Sequence, residues 1–377
     1  MLEAIRGLAA WTPLGLPAFL FVITLVVFFH ELGHFLVARA FGVKVDVFSV
    51  GFGKEIVGRT DRAGTRWKIS WLPIGGYVKF AGDADAASRP DVEAARTMSA
   101  AEREGVLMFK PLYQRALVAA SGPLANFVLA IVLLTGILMY TGHNTVAPVV
   151  GDVAKASPAA LAGIKTGDRV TRIDQTPITD FQQLPEIISV SSGTTPLAVG
   201  ISRAGHDMTL WITPKRTKIK DILGNSTSQM LIGVSAGLPA VRKPYGPVGA
   251  FAAACAETGN IMKTTVLTIA QMVSGHGGAD QLSGPVGIAK VTRQVADIGF
   301  LPLLNLVAIL SVSIGLANLF PIPLLDGGHL LYYGCEAVLG RPLGERAQDV
   351  GFRLGLVLVL GLMLLTTWND LVRLNLF

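Results

Sequence analysis

The sequence predicts an α-helical polytopic membrane protein with four transmembrane helices, a membrane-associated β-hairpin and an inserted extracytoplasmic α/β domain. Three observations carry this. Hydrophobic residues make up 51% of the 377-residue chain and charged residues only 15%, against about a quarter charged in a soluble domain. Four stretches approach the roughly 20 apolar residues that a bilayer requires. The Lys and Arg residues concentrate in the loop between the first two of those stretches.

The first span is predicted from Gly7 to Phe29, running directly into His30. Its apolar region is too long for a signal peptide, and it carries His30-Glu31-Leu32-Gly33-His34 at its far end, so it is read as a retained helix. The second runs from Ala116 to Gly142 and the third from Gly299 to Leu325. The fourth, Leu354 to Asn369, is the shortest, bounded by Arg353 and Asp370. The segments this defines are 1–41, 42–111, 112–142, 143–240, 241–298, 299–334 and 335–377.

The loop from Phe41 to Arg115 is rich in Lys and Arg, and Arg341, Arg346 and Arg353 precede the fourth span. The positive-inside rule puts both in the cytoplasm. Both chain ends and the segment 143–298 then lie outside. Within the basic loop Trp67, Ile69 and Trp71 alternate with polar residues, a strand pattern. Pro73, Gly75 and Gly76 supply a turn, and Tyr77 and Val78 begin a return strand. The expectation is a β-hairpin aromatic enough to dip into the membrane interface.

The outer segment divides near Leu238. Its first part reads as a small α/β domain, with strands at Pro148–Val153, Arg169–Ile173, Leu197–Ser202 and Met208–Thr213. Short helices are expected at Ser157–Gly163 and Phe181–Ser189, and a closing strand at Leu231–Val234. Pro244 to Ile298 reads as amphipathic helix and loop.

A net charge of +6 does not point to nucleic acid, because the basic residues are not clustered with interleaved aromatics. The two cysteines, Cys255 and Cys335, are far apart and follow no metal-like spacing.

The chemistry starts at His30-Glu31-Leu32-Gly33-His34. On a helix, residues four apart share a face, so both imidazoles can reach one Zn²⁺, with Glu31 beside them as general base on a metal-bound water. Ionisable groups within an apolar span are costly, about 2.5–3.5 kcal/mol for an acid at a helix centre, and mark function by default. A third ligand is needed. Asp326 stands at the end of the third span, where Pro321 and Pro323 break the helix and free the backbone to turn it toward the first span. His329 is the rival, and Glu55 ranks below both. His30 lies nine residues before Arg39, roughly 14 Å along a helix. The site is therefore expected in the cytoplasmic half of the bilayer, reached by water through a cavity between spans.

His-Glu-x-x-His inside an apolar span, together with Asn-x-x-Pro-x-Pro-x-Leu-Asp-Gly at 318–327, resembles the site-2 protease family of intramembrane zinc proteases, its bacterial RseP type in particular. Gly51-Phe52-Gly53, Leu72–Lys79, Ser121-Gly122-Pro123-Leu124-Ala125-Asn126 and Leu282–Lys290 are similar to that group, in the same order along nearly the whole chain. The resemblance implies that His30, His34 and Asp326 bind Zn²⁺ and that Glu31 activates water. It implies that Asn318 contacts the substrate backbone and that Asn126, near the site, is a substrate contact as well. It also implies that Trp67, Lys68, Ile69 and Ser70 belong to a membrane-reentrant sheet whose edge pairs with an extended substrate. The outer domain resembles a permuted PDZ domain, with its groove by Leu231–Val234, present once rather than in tandem.

The implied activity is hydrolysis within the spans of single-span membrane proteins in the bacterial inner membrane. Such substrates include an anti-sigma factor already cut on its outer side, in an envelope-stress pathway, and leftover signal peptides. The alternative is a non-catalytic membrane scaffold or transporter with a PDZ recruitment domain, which would tolerate loss of Glu31.

Overall fold

A computed structural model describes residues 15–83, 97–220, 226–239, 241–274 and 284–373. Residues 7–14 of the first predicted span lie outside the described residues. The chain forms two compact units. One comprises 1–137 with 247–377, the other Leu138–Gly246.

In the first unit, four helices among the described residues are long and apolar enough to cross a membrane. They are α1 (Gly15–Ala40), α3 (Leu112–Thr141), α8 (Phe300–Asn318) and α10 (Glu345–Arg373). The unit also holds the short α2 (Ala100–Arg103), α6 (Pro247–Val273), α7 (Pro285–Ile298) and α9 (Asp326–Leu339). Val22 and Val26 of α1, Leu129 of α3, and Leu303 and Val307 of α8 form one buried cluster, so these three helices share a core. Their backbones come close where side chains vanish. A Cβ on Gly33 would collide with the Ser121 carbonyl and the Ala125 side chain, and one on Gly315 would sit 3.1 Å from the Asn126 side chain. Small residues of this kind are how membrane helices gain packing area without a hydrophobic driving force.

The third and fourth spans differ from expectation. The predicted third span ran to Leu325, but α8 stops at Asn318. Residues 319–325 are irregular, because Pro321 and Pro323 lack the N–H a helix needs, and Asp326 opens a new helix. The fourth helix is longer than predicted, with a membrane-competent stretch of 27 residues from Arg346 to Val372. Arg353 and Asp370 lie within it rather than bounding it. Asp370 is buried and accepts the Gly287 N–H at 2.8 Å, capping the N-terminus of α7 from a distance.

The basic loop folds as a small sheet rather than the predicted simple hairpin. Its strands are β1 (Val45–Thr60) and β2 (Arg66–Phe80). Val45–Val50 aligns with Gly76–Phe80 on one side and with Arg66–Ile69 on the other. Glu55–Thr60 then aligns with Arg66–Ser70. The two halves of β2 therefore do not pair with each other. Residues 71–75 carry the chain across the end of Val45–Val50, which lies between them. Trp67 stacks on Phe48 at 4.3 Å and meets Phe35 of α1 edge-on at 4.9 Å, fixing the sheet to the first helix. Its far end exposes Phe52, Ile56, Trp71, Leu72 and Ile74.

The second unit contains β3 (His143–Thr145), β4 (Val150–Val153), α4 (Pro158–Leu161), β5 (Arg169–Ile173), β6 (Thr176–Pro177), α5 (Gln183–Ser189), β7 (Leu197–Arg203), β8 (His206–Ile212), β9 (Lys215–Lys220), β10 (Ser226–Leu231), β11 (Val234–Ala236) and β12 (Val241–Lys243). The order β6-β5-β7-β8 makes an antiparallel sheet, and β4–β11, β9–β10 and β3–β12 pair beside it. Leu197, Val199 and Ile201 are buried at alternate positions and pack with Ile173, Leu184 and Ile212, as a strand with one inward face requires. The expected closing strand Leu231–Val234 is instead split. Leu231 ends β10 and Val234 begins β11. Gly233 between them takes a left-handed φ of 85°, which a side chain would resist.

Asp168 is 1% exposed and accepts two hydrogen bonds from Arg203 at 2.7 Å and one from the Lys165 N–H at 2.8 Å. The Arg203 guanidinium holds its carboxyl below the usual carboxylate range. A folded value below the unfolded one of about 3.9 means this stabilisation is present above that pH and is lost as pH falls through the folded value. Arg203→Met is expected to lower the stability of this unit by about 2–3 kcal/mol at pH 7. Hydrogen exchange within Leu138–Gly246 of the full chain should show that deficit shrinking below about pH 4.

Candidate metal centre

His30, Glu31 and His34 lie in the C-terminal half of α1, one helical turn apart at the two histidines. Both imidazoles are buried, and their Nε2 atoms face each other at 3.3 Å. Asp326 joins them from the first turn of α9, Oδ2 at 3.2 Å from His30 Nε2 and Oδ1 at 3.4 Å from His34 Nε2.

The short loop before Asp326 is tightly constrained. Leu324 has a φ of 105°, a conformation costing about 1–3 kcal/mol for a residue with a side chain. A Cβ on Gly327 would run into the carbonyls of Leu319 and Phe320, and one on Gly328 into that of Ile322. The glycines let the start of α9 lie directly on the broken end of the third span. Further along α9, Glu336 accepts two hydrogen bonds from Arg115 of α3 at 2.5 and 3.0 Å, and the guanidinium covers the Tyr333 ring. Asp326 is thus held at both ends of its helix.

The three side chains fit zinc. Tetrahedral ligands at about 2.0–2.1 Å from Zn²⁺ stand roughly 3.3–3.4 Å apart; the two Nε2 atoms stand 3.3 Å apart, and each has one of the two Asp326 oxygens nearby, Oδ2 at 3.2 Å from His30 and Oδ1 at 3.4 Å from His34. Asp326 Oδ2 is a buried oxygen without a hydrogen-bond partner among the described residues, the mark of an acceptor waiting for a cation. Among the described residues His30, His34 and Asp326 are the group of donors close enough to hold one ion.

The neighbouring helix α3 shapes both histidines. His34 Nδ1 stands 2.7 Å from the Val118 carbonyl, so Nδ1 carries the proton and Nε2 keeps its lone pair for the metal. This contact exists because Gly122 lacks a side chain. A Cβ there would overlap the His34 ring, lying 2.7 Å from Cε1 and 2.8 Å from Cδ2. Pro123, inside the same turn, has no N–H for the Ala119 carbonyl, which loosens the helix at this crossing. Asn126 is fully buried, its amide nitrogen 3.4 Å from His30 Nδ1. Glu31 accepts the Val78 N–H at 3.0 Å through Oε2, tying the sheet to the motif.

A cavity of about 650 Å³ opens beside these groups, lined by His30, Glu31, His34, Tyr77, Asn318 and Asp326 among others. Asn318, at the end of α8, is among the residues that line it. His329 also lines the cavity but stands outside the three-donor group. Glu55 is engaged elsewhere, accepting from Arg66 at 2.5 Å. Trp67, Lys68, Ile69 and Ser70 do not form the open edge expected of them. They are flanked on both sides by β1, Ser70 Oγ is bonded to Ser49 Oγ at 3.1 Å, and Trp67 is packed in the core. The border beside the cavity is Gly76–Phe80, which pairs with Val45–Val50 alone among the described residues. The Val78 N–H, the Val118 carbonyl and the Arg115–Glu336 pair were not foreseen. Two of these are backbone groups, to which residue type gives no pointer.

What fold and site define is a metal-dependent hydrolase set among apolar helices. The chain belongs to peptidase family M50, whose model matches residues 18–362. It is 44% identical over 358 residues, 94% of each chain, to an Agrobacterium fabrum protein named as a zinc metalloprotease. A similarly named protein of Rhizobium meliloti is 43% identical over 359 residues, 94% of this chain and 96% of that one. The metalloprotease MmpA of Caulobacter vibrioides is 37% identical over 385 residues, 96% of each. The protein is accordingly a zinc metalloendopeptidase.

Gly122→Ala is expected to displace the His34 ring and weaken zinc binding on the order of ten- to a hundredfold. Metal content after dialysis against a graded zinc buffer measures it.

Proposed function

We propose that this metalloendopeptidase cuts peptide bonds inside the membrane spans of single-span membrane proteins, in the bacterial inner membrane. The observation that carries this reading is the position of the three-donor cluster: His30 and His34 are on a helix long and apolar enough to cross a bilayer, Asp326 just after another, and a cavity that also reaches Glu31 and Asn318 opens beside them. A water-dependent reaction at such depth needs a cavity of this kind. The basic loop and its exposed apolar tip support a cytoplasmic, interface-dipping sheet, and with it a periplasmic placement of the Leu138–Gly246 unit.

His30, His34 and Asp326 would hold the zinc. When bound, zinc supplies a Lewis acid that brings the pKa of water to about 7. Glu31, with Oε2 held by Val78, keeps Oε1 free to take a proton from the attacking water and return it to the leaving amine. Asn318, on the cavity wall, is placed to donate to the substrate backbone. A helical substrate shields its own peptide bonds, so the span must extend before hydrolysis. The Gly76–Phe80 border supports strand addition as the means of holding it. In an antiparallel ladder alternate residues point their N–H and C=O the same way, so Gly76 faces the cavity side as Val78 does. The Leu138–Gly246 unit is read as a PDZ-like filter that admits proteins already trimmed outside, an anti-sigma factor among them, and remnant signal peptides.

In proteoliposomes with a model single-span substrate, mass spectrometry of the products should place the cut within the hydrophobic segment. Cuts confined to the soluble flanks would overturn the proposal. Glu31→Gln is expected to keep zinc and lower the cleavage rate by about 10²–10⁴-fold.

A further inference from the structure

Asn126 lies at the centre of the α1–α3–α8 crossing, and its setting is unusual for a residue that would contact substrate. It is 0% exposed. Its backbone carbonyl accepts the Ser311 hydroxyl of α8 at 2.9 Å, and Gly315 of α8 closes over its Cβ. These contacts fix its main chain and leave only the side-chain amide free to choose an orientation. That amide meets His30 Nδ1 at 3.4 Å, while Oδ1 is buried without a partner among the described residues.

The two histidines pose the same requirement. Each must present Nε2 with a free lone pair, so each must carry its proton on Nδ1 and needs an acceptor there. For His34 the acceptor is the Val118 carbonyl at 2.7 Å. For His30 the group in reach is the Asn126 amide. An amide nitrogen cannot accept the Nδ1 proton, but turning the amide by 180° about its Cβ–Cγ bond exchanges nitrogen and oxygen in nearly the same space.

We propose that Asn126 is a positioning residue whose side-chain oxygen accepts the Nδ1 proton of His30, locking the tautomer and ring orientation that deliver Nε2 to the metal. Helix α3 then supplies both outer acceptors, a main-chain carbonyl for one ligand and a side-chain carbonyl for the other. The proposal rests on His30, His34 and Asp326 being the zinc ligands. It assigns Asn126 to ligand orientation rather than to substrate.

The test is zinc affinity of the detergent-solubilised full chain, measured by competition with a chromophoric chelator, alongside KM and kcat on a model single-span substrate. Asn126→Asp keeps an acceptor at the same reach, and Asn126→Leu removes it at similar size. The expected result is that Asn126→Leu weakens zinc binding about 10–100-fold while Asn126→Asp stays within a few-fold of the parent. Asn126→Ala replaces the Leu variant if that one does not fold, as judged by apo-state thermal unfolding. Parental zinc affinity in the variant lacking the acceptor, with a raised KM instead, would overturn the proposal in favour of a substrate contact. If His34→Ala also bound zinc as tightly as the parent, the ligand assignment itself would fall, and this proposal with it.

Discussion

The close crossing of α1 and α3, with Gly33 against the Ser121 carbonyl and Gly122 against the His34 ring, is the constraint on which the rest of the centre depends. A buried imidazole in an apolar setting needs a partner for every nitrogen. The His34 ring finds one only because it can lie against the bare surface of α3 and reach the Val118 carbonyl. With that contact made, Nε2 is aimed, the spacing to His30 follows from one helical turn, and Asp326 has a defined place to go. A methyl group on Gly33 would push the helices apart and one on Gly122 would displace the His34 ring, and either would cost Nδ1 its carbonyl partner.

The second constraint is the broken end of the third span. A continuous helix through Leu325 would carry Asp326 along its own axis. Two prolines end the helix, a strained Leu324 turns the chain, and two adjacent glycines let α9 begin on top of the break. The strain at Leu324 is tolerated because the backbone around it is fixed by the Gly327 and Gly328 contacts on one side and the Arg115–Glu336 pair on the other. The carboxylate is brought to the histidines by rigid backbone rather than by a flexible loop.

Much of this could be read before any coordinates. The donors His30, His34 and Asp326 were visible because charged or polar residues at the edge of apolar runs have few reasons to be there, and prolines beside Asp326 announced the break. The strand Arg169–Ile173 was expected with the bounds found, and the expected Leu197–Ser202 runs one residue further, to Arg203. What alternation could not show was pairing. Trp67 to Ser70 has the pattern of a strand, and the resemblance put it at an open edge, yet it lies inside its sheet, because the crossing at residues 71–75 passes over a neighbour rather than turning back. Leu231–Val234 is apolar enough for one strand but is divided by the backbone of Gly233. The role of Asn126 was illegible for a different reason. An asparagine reads alike whether it faces a peptide or an imidazole, and only its complete burial separates the two.

Under the strand addition proposed above, the one-sided sheet border at Gly76–Phe80 would govern where a guest chain is severed. Amide groups extended in lipid have no water to satisfy them, so a polypeptide docked there is held chiefly by its ladder with that border. Sliding by a single residue would turn its side chains to the opposite face, whereas sliding by two would restore them. Scissile positions along one guest should accordingly fall into a phase of two, with the side chains on one face of the extended segment, rather than any sequence motif, setting which phase is used.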